Sequence, residues 1–269
     1  KTQLGPKIAG ENQIKEIINA SLCSVFFIDE SQRVTLKDIG TVNEIRKWAD
    51  QLDSQVIEME LLSQFRCNGS DGYLAWIDDT LEIRDTANFG MKDIDYDIKI
   101  VDSPNEVRNL IIERNKVSNH SRILAGYCWE WLKAQQNNTE YHDIKIDDFE
   151  MSWNLGNSTT FAIDENSVDE IGCIHTSQGL EFDYVGVIIG DDMRYENGHI
   201  ITDFTKRAKS DQSLKGIKKL YKENPEQALA DADEIIKNTY RTLMTRGMKG
   251  CYVYCTDEKL AEYLKECLL

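Results

Sequence analysis

An α/β fold with a mainly parallel sheet is what the sequence predicts, on three observations. Short runs such as residues 23–28 (CSVFFI) and 184–189 (YVGVII) are apolar at almost every position, as strands covered on both faces are. These runs alternate with segments whose apolar residues recur at helical spacing, the pattern of βαβ units. The first run ends in paired acids, Asp29-Glu30, the way a buried parallel strand presents polar groups at its carboxyl end.

Taken in order, residues 12–20 place Ile14, Ile17 and Ile18 on one helical face, and residues 23–28 follow as a strand. Residues 42–52 read as a helix and 55–59 as a strand. Residues 97–101 are a strand, and Ser103-Pro104 opens a helix through residue 115. Ser103 takes the N-cap position, where a hydroxyl satisfies a first-turn N–H, and proline suits the first helical position. Strands at 122–126, 172–175 and 184–189 follow, the last two separated by a polar loop. A long helix at 228–245, a strand at 251–255 and a helix at 258–267 complete the series. Residues 135–148 (QQNNTEYHDIKIDD) read as a polar surface excursion. Residues 206–219 form a locally basic stretch containing Lys206, Arg207, Lys209, Lys215, Lys218 and Lys219. A boundary near residues 60–66 divides the chain into 1–62 and 63–269.

The 269 residues carry 31 Lys+Arg against 47 Asp+Glu, a net charge of −16. Bulk charge of that sign excludes a chain that coats nucleic acid indiscriminately, yet leaves room for a local basic groove. A hydrophobic fraction of 41% supports a packed core and excludes global disorder. No apolar run approaches the roughly 20 residues of a bilayer span, and residues 1–10 lack the apolar segment of a signal peptide. A cytoplasmic protein without a membrane partner is expected. The seven cysteines include no CxxC pair, so reduced core thiols are expected rather than a zinc ribbon, with Cys251 and Cys255 on one face of a strand.

Four constellations have the residue types that phosphate chemistry uses. Asp29-Glu30-Ser31-Gln32 follows an apolar run, where paired acids hold Mg²⁺ or cap the next segment. Leu61-Leu62-Ser63-Gln64-Phe65-Arg66 ends in an arginine suited to a transferring phosphate or to a surface ion pair. Ile174 to Asp183 (IHTSQGLEFD) is a polar, glycine-bearing connection between two apolar runs, a layout for backbone contact with phosphate or nucleic acid. There His175 is either a ligand-facing or a structural histidine. Asn238 to Gly247 (NTYRTLMTRG) runs a helix into Thr-Arg-Gly, so that Arg246 either reaches across a cleft to a triphosphate or satisfies terminal carbonyls. Tyr73, Trp76, Trp129, Trp131 and Trp153 are read as core aromatics before base-stacking ones.

In this order the blocks resemble the motifs of superfamily 1 helicases: LLSQFRCNGS resembles motif IV, HTSQGLEFD motif V and YRTLMTRGMKGCYVY motif VI. With GENQIKEIINA, FFIDESQRV, QFRCNGSDGYLAWID and AGYCWEW, they resemble the Schlafen group 3-like DNA/RNA helicase domain family over nearly the whole chain. The resemblance implies a RecA-like, P-loop NTPase-type sheet. Residues 1–62 would be the end of a first RecA-like domain and 63–269 the second. It also implies ATP with Mg²⁺ between two such domains, and single-stranded DNA or RNA as partner. Gln32 would contact the γ-phosphate, while Arg66 and Arg246 would neutralise charge in phosphoryl transfer. Asp29, Glu30, Gln178, Gly179 and Glu181 would lie on the nucleotide side, with Glu181 near the ribose. His175, Thr176 and Ser177 would lie nearer the nucleic-acid backbone. Gln178 stands where many superfamily members have Lys, and Gly247 where Ala is common.

Gln32 and Arg66 are 66 − 32 = 34 positions apart, which resembles the gap from motif III to motif IV rather than from Walker B. Asp29 and Glu30 are therefore read as acids flanking motif III. No Gly-x-x-x-x-Gly-Lys-Ser/Thr phosphate loop occurs in these residues. The expectation is that a RecA-like segment upstream supplies it, and that the chain alone binds no nucleotide tightly and is inert toward ATP. Two other readings compete. One is a RecA-like scaffold or interaction module without turnover. The other is a metal-dependent nuclease using Asp95, Asp97 and Asp102, which lacks the Asp…Glu-x-Lys pattern.

Overall fold

A computed structural model describes residues 12–38, 40–60, 67, 70–86, 90–92, 94–156 and 160–269. Two compact units form: residues 1–31 with 37–62, and residues 32–36 with 63–269.

The first unit contains α1 (Gln13–Ala20) and α2 (Val42–Gln51). Each begins where its cap residue dictates: Asn12 Oδ1 accepts from the Ile14 N–H at 2.9 Å, and Thr41 Oγ1 from the Glu44 N–H at 3.1 Å. The strands expected at 23–28 and 55–59 are not formed. None of residues 22–28 or 55–60 makes a backbone–backbone hydrogen bond to a described residue. Val25, Phe27, Ile57 and Met59 are 74%, 82%, 77% and 90% exposed. A strand apolar on both faces needs neighbours to pair with and two layers to cover it. The described part of this unit offers two helices and no strand.

The second unit begins with α3 (Asp71–Thr80), β1 (Asp97–Ile100), α4 (Pro104–Ser118) and β2 (Ser121–Ala125). It continues with β3 (Ile144–Ile146), β4 (Phe149–Trp153), β5 (Glu170–Gly172), the single turn α5 (Ile174–Ser177) and β6 (Phe182–Ile189). After these come β7 (Met193–Glu196), β8 (His199–Thr202), α6 (Ile217–Glu223), α7 (Pro225–Met244), β9 (Gly247–Cys255) and α8 (Glu258–Glu266). Seven strands form one sheet in the order β1-β9-β6-β2-β5-β4-β3, parallel throughout except for the β3–β4 pair; β7 and β8 form a separate antiparallel hairpin.

Helices cover both faces. Val185, Val187, Cys251 and Val253 share a core with Ile235, Ile236 and Leu243 of α7, Leu260 of α8, and Tyr73, Trp76 and Ile77 of α3. Ile123, Ile188 and Tyr252 face the other way, against Val107 and Ile111 of α4 and beside Trp153. Such double coverage explains why the central strands read as continuous apolar runs. This mostly parallel, doubly covered sheet is the RecA-like α/β architecture that the motifs imply. Cys251 and Cys255 are buried on one face, and all seven cysteines are free thiols. No helix among the described residues is long and apolar enough to cross a membrane.

Three expectations need correction. Residues 135–148 are not a mere excursion, because Ile144–Ile146 starts the hairpin that extends the sheet at its edge. The strand expected at 172–175 ends at Gly172, and the chain turns into α5. Arg207 is no part of a solvated basic face: its side chain is 2% exposed, between Asp192 and Asp211.

Candidate functional site

The end of α7 and the start of β9 are held by four consecutive carbonyls. Tyr73 OH donates to Met244 O at 3.1 Å, Cys67 Sγ to Thr245 O at 3.6 Å, the Phe182 N–H to Arg246 O at 3.0 Å, and Tyr96 OH to Gly247 O at 2.9 Å. Helix C-termini leave carbonyls without intrahelical partners; Met244 O is one of these, and the next three carbonyls belong to the cap and the start of the strand. Donors from four separate segments bond to all four, so the backbone that carries Arg246 is fixed from several sides. Arg246 itself is 7% exposed.

Phe182 directly follows Glu181, so its bond to Arg246 O joins the IHTSQGLEFD connection to the end of the YRTLMTRG helix. The register continues with Phe182 opposite Gly247 and Tyr184 opposite Gly250, one extra residue lying in β9. That bulge bends the strand at the site. A Cβ on Gly247 would come within 2.2 Å of Gly250 O, so this position calls for glycine.

From Gly172, at the carboxyl end of β5, the connection returns across the sheet to start β6 at the opposite edge, as a parallel crossover must. At its first edge, Thr176 Oγ1 donates to Asn154 Oδ1 and lies 3.1 Å from Cys173 Sγ, which also accepts from Tyr127 OH at 3.2 Å. His175 is exposed, with its ring 5.9 Å from that of Tyr127. Ser177 is fully buried, and its hydroxyl donates to Ile174 O at 3.2 Å. At the far edge, Gln178 and Glu181 are exposed and their side chains make no hydrogen bond to a described residue. Gly179 takes φ +76° with open space around it, a turn that disfavours any side chain for backbone reasons alone. His175 and Thr176 thus sit by the carboxyl ends of β2, β4 and β5, whereas Glu181 and Arg246 sit by the amino ends of β6 and β9.

Asp29 and Glu30 cap local structure. Asp29 Oδ1 accepts from the Ser31 N–H at 3.2 Å, and Glu30 Oε1 from the Val42 N–H at 3.0 Å at the start of α2. Gln32 is half-buried and opens the 32–36 segment, which is strapped to α7. Arg33 pairs with Glu234 at 2.8 Å, Asn238 Nδ2 donates to Arg33 O at 3.1 Å, and Val34 is buried. The helix that ends at Arg246 therefore also holds the residues just after Gln32. Arg66 lies outside the described residues; Cys67, next in sequence, is the residue bonded to Thr245.

The Schlafen group 3, DNA/RNA helicase domain profile matches residues 1–257. The chain belongs to this family. It is also similar to the uncharacterized protein YPL245W of Saccharomyces cerevisiae, 26% identical over 278 residues that cover 95% of this chain and 59% of that one. The chain thus spans about 59% of that relative's length. No solved structure matches.

Sequence reasoning missed part of what holds the site of this helicase domain together. Tyr73, Tyr96 and Cys67 act on residues more than 150 positions away, and no local pattern marks them. The buried Arg207–Asp192–Asp211 cluster is a second omission. Tyr240, within the YRTLMTRG block, donates to Asp192 and accepts from the Gly190 N–H at 3.1 Å. Burial raises the Asp192 carboxyl, opposed by the Arg207 charge and the Tyr240 hydroxyl. Arg241 of the same block is bound to buried Asp78. Asp97, one of the carboxylates of the nuclease reading, is held by Arg114 at 2.6 Å and by Tyr252 OH at 2.7 Å, and Asp102 pairs with Lys265. Among the described residues no group of three or more His, Cys, Asp or Glu stands ready to hold a metal.

Proposed function

We propose that this helicase domain forms the arginine side of an ATP cleft in a nucleic-acid-dependent NTPase. The observation that carries the reading is the clamp on residues 244–247, which fixes the backbone of Arg246 and ties it to the segment bearing Glu181. Preorganised charge of this kind is what phosphoryl transfer uses, because little covalent chemistry is left for the protein. In this reading Arg246 and Arg66 neutralise charge developing on the transferring phosphate, Glu181 reaches the ribose, and Gln178 and Gly179 line the approach. Gln32, strapped to α7 through Arg33 and Val34, links the γ-phosphate to the same helix, with Asp29 and Glu30 shaping its turn. Bound ATP with Mg²⁺ supplies the transferable phosphoryl group; the chain's own part is to position and to neutralise. His175 and Thr176, at the other sheet edge, contact a single strand of DNA or RNA, with buried Ser177 shaping their turn. Residues 1–62 belong to a first RecA-like domain, 63–269 to the second, and the protein works in the cytoplasm.

Exposed Val25, Phe27, Ile57 and Met59 support a first domain completed by further strands, which would also bring the phosphate loop that these residues lack. The 269-residue chain by itself is then expected to show no ATP turnover, and turnover by it would sink that part. The test of the whole reading is ATP hydrolysis by the natural protein carrying this chain, with and without single-stranded DNA or RNA. Arg246→Ala should abolish turnover with and without nucleic acid, and His175→Ala should lose mainly the stimulation. A folded natural protein without turnover under any condition would favour an inert RecA-like scaffold.

A further inference from the structure

The strand order contains a second feature that the ATP-cleft reading leaves unused. After β2 the chain moves toward β5, β4 and β3; after β6 it moves the other way, toward β9. Loops leaving adjacent parallel strands in opposite directions open a crevice at their carboxyl ends, the place where open α/β sheets bind ligands. Here that edge holds a cavity of about 330 Å³, within the size range of small-molecule sites. Trp129 lines it from the loop after β2, Asp191 from the loop after β6, and Tyr254 and Thr256 from the end of β9. Lys145, Asp147 and Lys206 also line it.

Several of these groups have no partner among the described residues. The Thr256 hydroxyl is buried and hydrogen-bonded to nothing among the described residues. The side chains of Lys206 and Asp191 make no hydrogen bond or ion pair with a described residue, and both are exposed. Lys145 has only the exposed Glu150, at 3.3 Å. Two aromatic rings, two ammonium groups, the carboxylates of Asp147 and Asp191, and a hydroxyl unsatisfied among the described residues thus converge in a chain whose net charge is −16. Planar rings accept a stacked base, ammonium groups accept a phosphate, and a carboxylate accepts ring N–H, exocyclic amine or sugar hydroxyl protons.

We infer that this crevice binds a single nucleotide unit, its base against Trp129 and Tyr254 and its phosphate against Lys206 and Lys145. The unit comes from a free mononucleotide or from one position of a single strand. The crevice lies at the opposite sheet edge from Arg246, so the inference does not rest on the ATP cleft.

Calorimetric titration of the 269-residue chain with the four nucleoside 5′-monophosphates, with inorganic phosphate and with a short single-stranded oligonucleotide tests it. Lys206→Glu, at an exposed position, should weaken nucleotide binding by about tenfold or more while leaving the melting temperature unchanged. Trp129→Leu should weaken it too, and Asp191→Asn keeps the test valid if the tryptophan variant misfolds. Equal dependence on Lys206 for mononucleotide and oligonucleotide, with similar affinity, supports a free nucleotide. Tighter oligonucleotide binding with the same dependence supports a strand position. Binding of phosphate as tight as that of any nucleotide, affinities unmoved by Lys206→Glu, or no binding at all would overturn the inference.

Discussion

Arg207 stands in a basic stretch of sequence yet is sealed inside the fold, its guanidinium 2.9 Å from Asp211 and 3.6 Å from Asp192. Removing one member of a buried ion cluster strands the others, at a cost of about 3–5 kcal/mol. Arg207→Met should therefore destabilise strongly in urea denaturation, and adding Asp192→Asn and Asp211→Asn should recover much of the loss. A single variant as stable as the parent would show the cluster to be dispensable. Glu170 offers a pH test. Burial raises its carboxyl to about 7, while the Leu155 N–H pulls the other way. A carboxyl raised in the folded state binds its proton more tightly there than in the unfolded chain. Its contribution is thus most favourable at low pH and is lost as pH rises through about 7. Glu170→Gln should gain stability relative to the parent between pH 5 and pH 8, by up to about 3 kcal/mol. A stability difference that does not change with pH would remove Glu170 from the account.

At the scale of elements, the bulge where β6 meets β9 and the turn that leads into it make different demands on glycine. At Gly179 only the positive φ matters, so Gly179→Ala should cost roughly 1 kcal/mol. At Gly247 a Cβ meets backbone at 2.2 Å, which cannot be relieved by rotating a side chain. Gly247→Ala should lower the melting temperature further than Gly179→Ala; the reverse order would contradict the bulge geometry. The first unit makes a second demand. Amides of residues 22–28 and 55–60 have no backbone acceptor among the described residues, so they should exchange with solvent far faster than those of β6 and β9. Exchange as slow as that of β6 and β9 would show that these residues are paired after all.

Across the molecule, the legible parts of the sequence were those fixed locally or by coverage on both faces. The central strands, α4 with its Ser103-Pro104 start and α8 were readable because apolar runs and caps are local signals. The β3–β4 hairpin was not, since short edge strands carry polar residues that read as loop. The same logic misjudged residues 23–28: their composition describes a buried strand, but burial needs neighbours that the described residues do not provide. Of the site, the order of motifs was legible and the clamp on residues 244–247 was not, because Cys67, Tyr73 and Tyr96 arrive from far along the chain. That clamp holds the backbone on either side of Arg246, and the role of its side chain is a matter for experiment. Arg246→Lys keeps the charge and loses the planar fork. The most direct measurement is therefore single-turnover ATP hydrolysis by the natural protein at saturating single strand, parent against Arg246→Lys, with folding checked by circular dichroism. The account predicts a loss of about a thousandfold or more with the fold intact. Undiminished hydrolysis in the variant would contradict it.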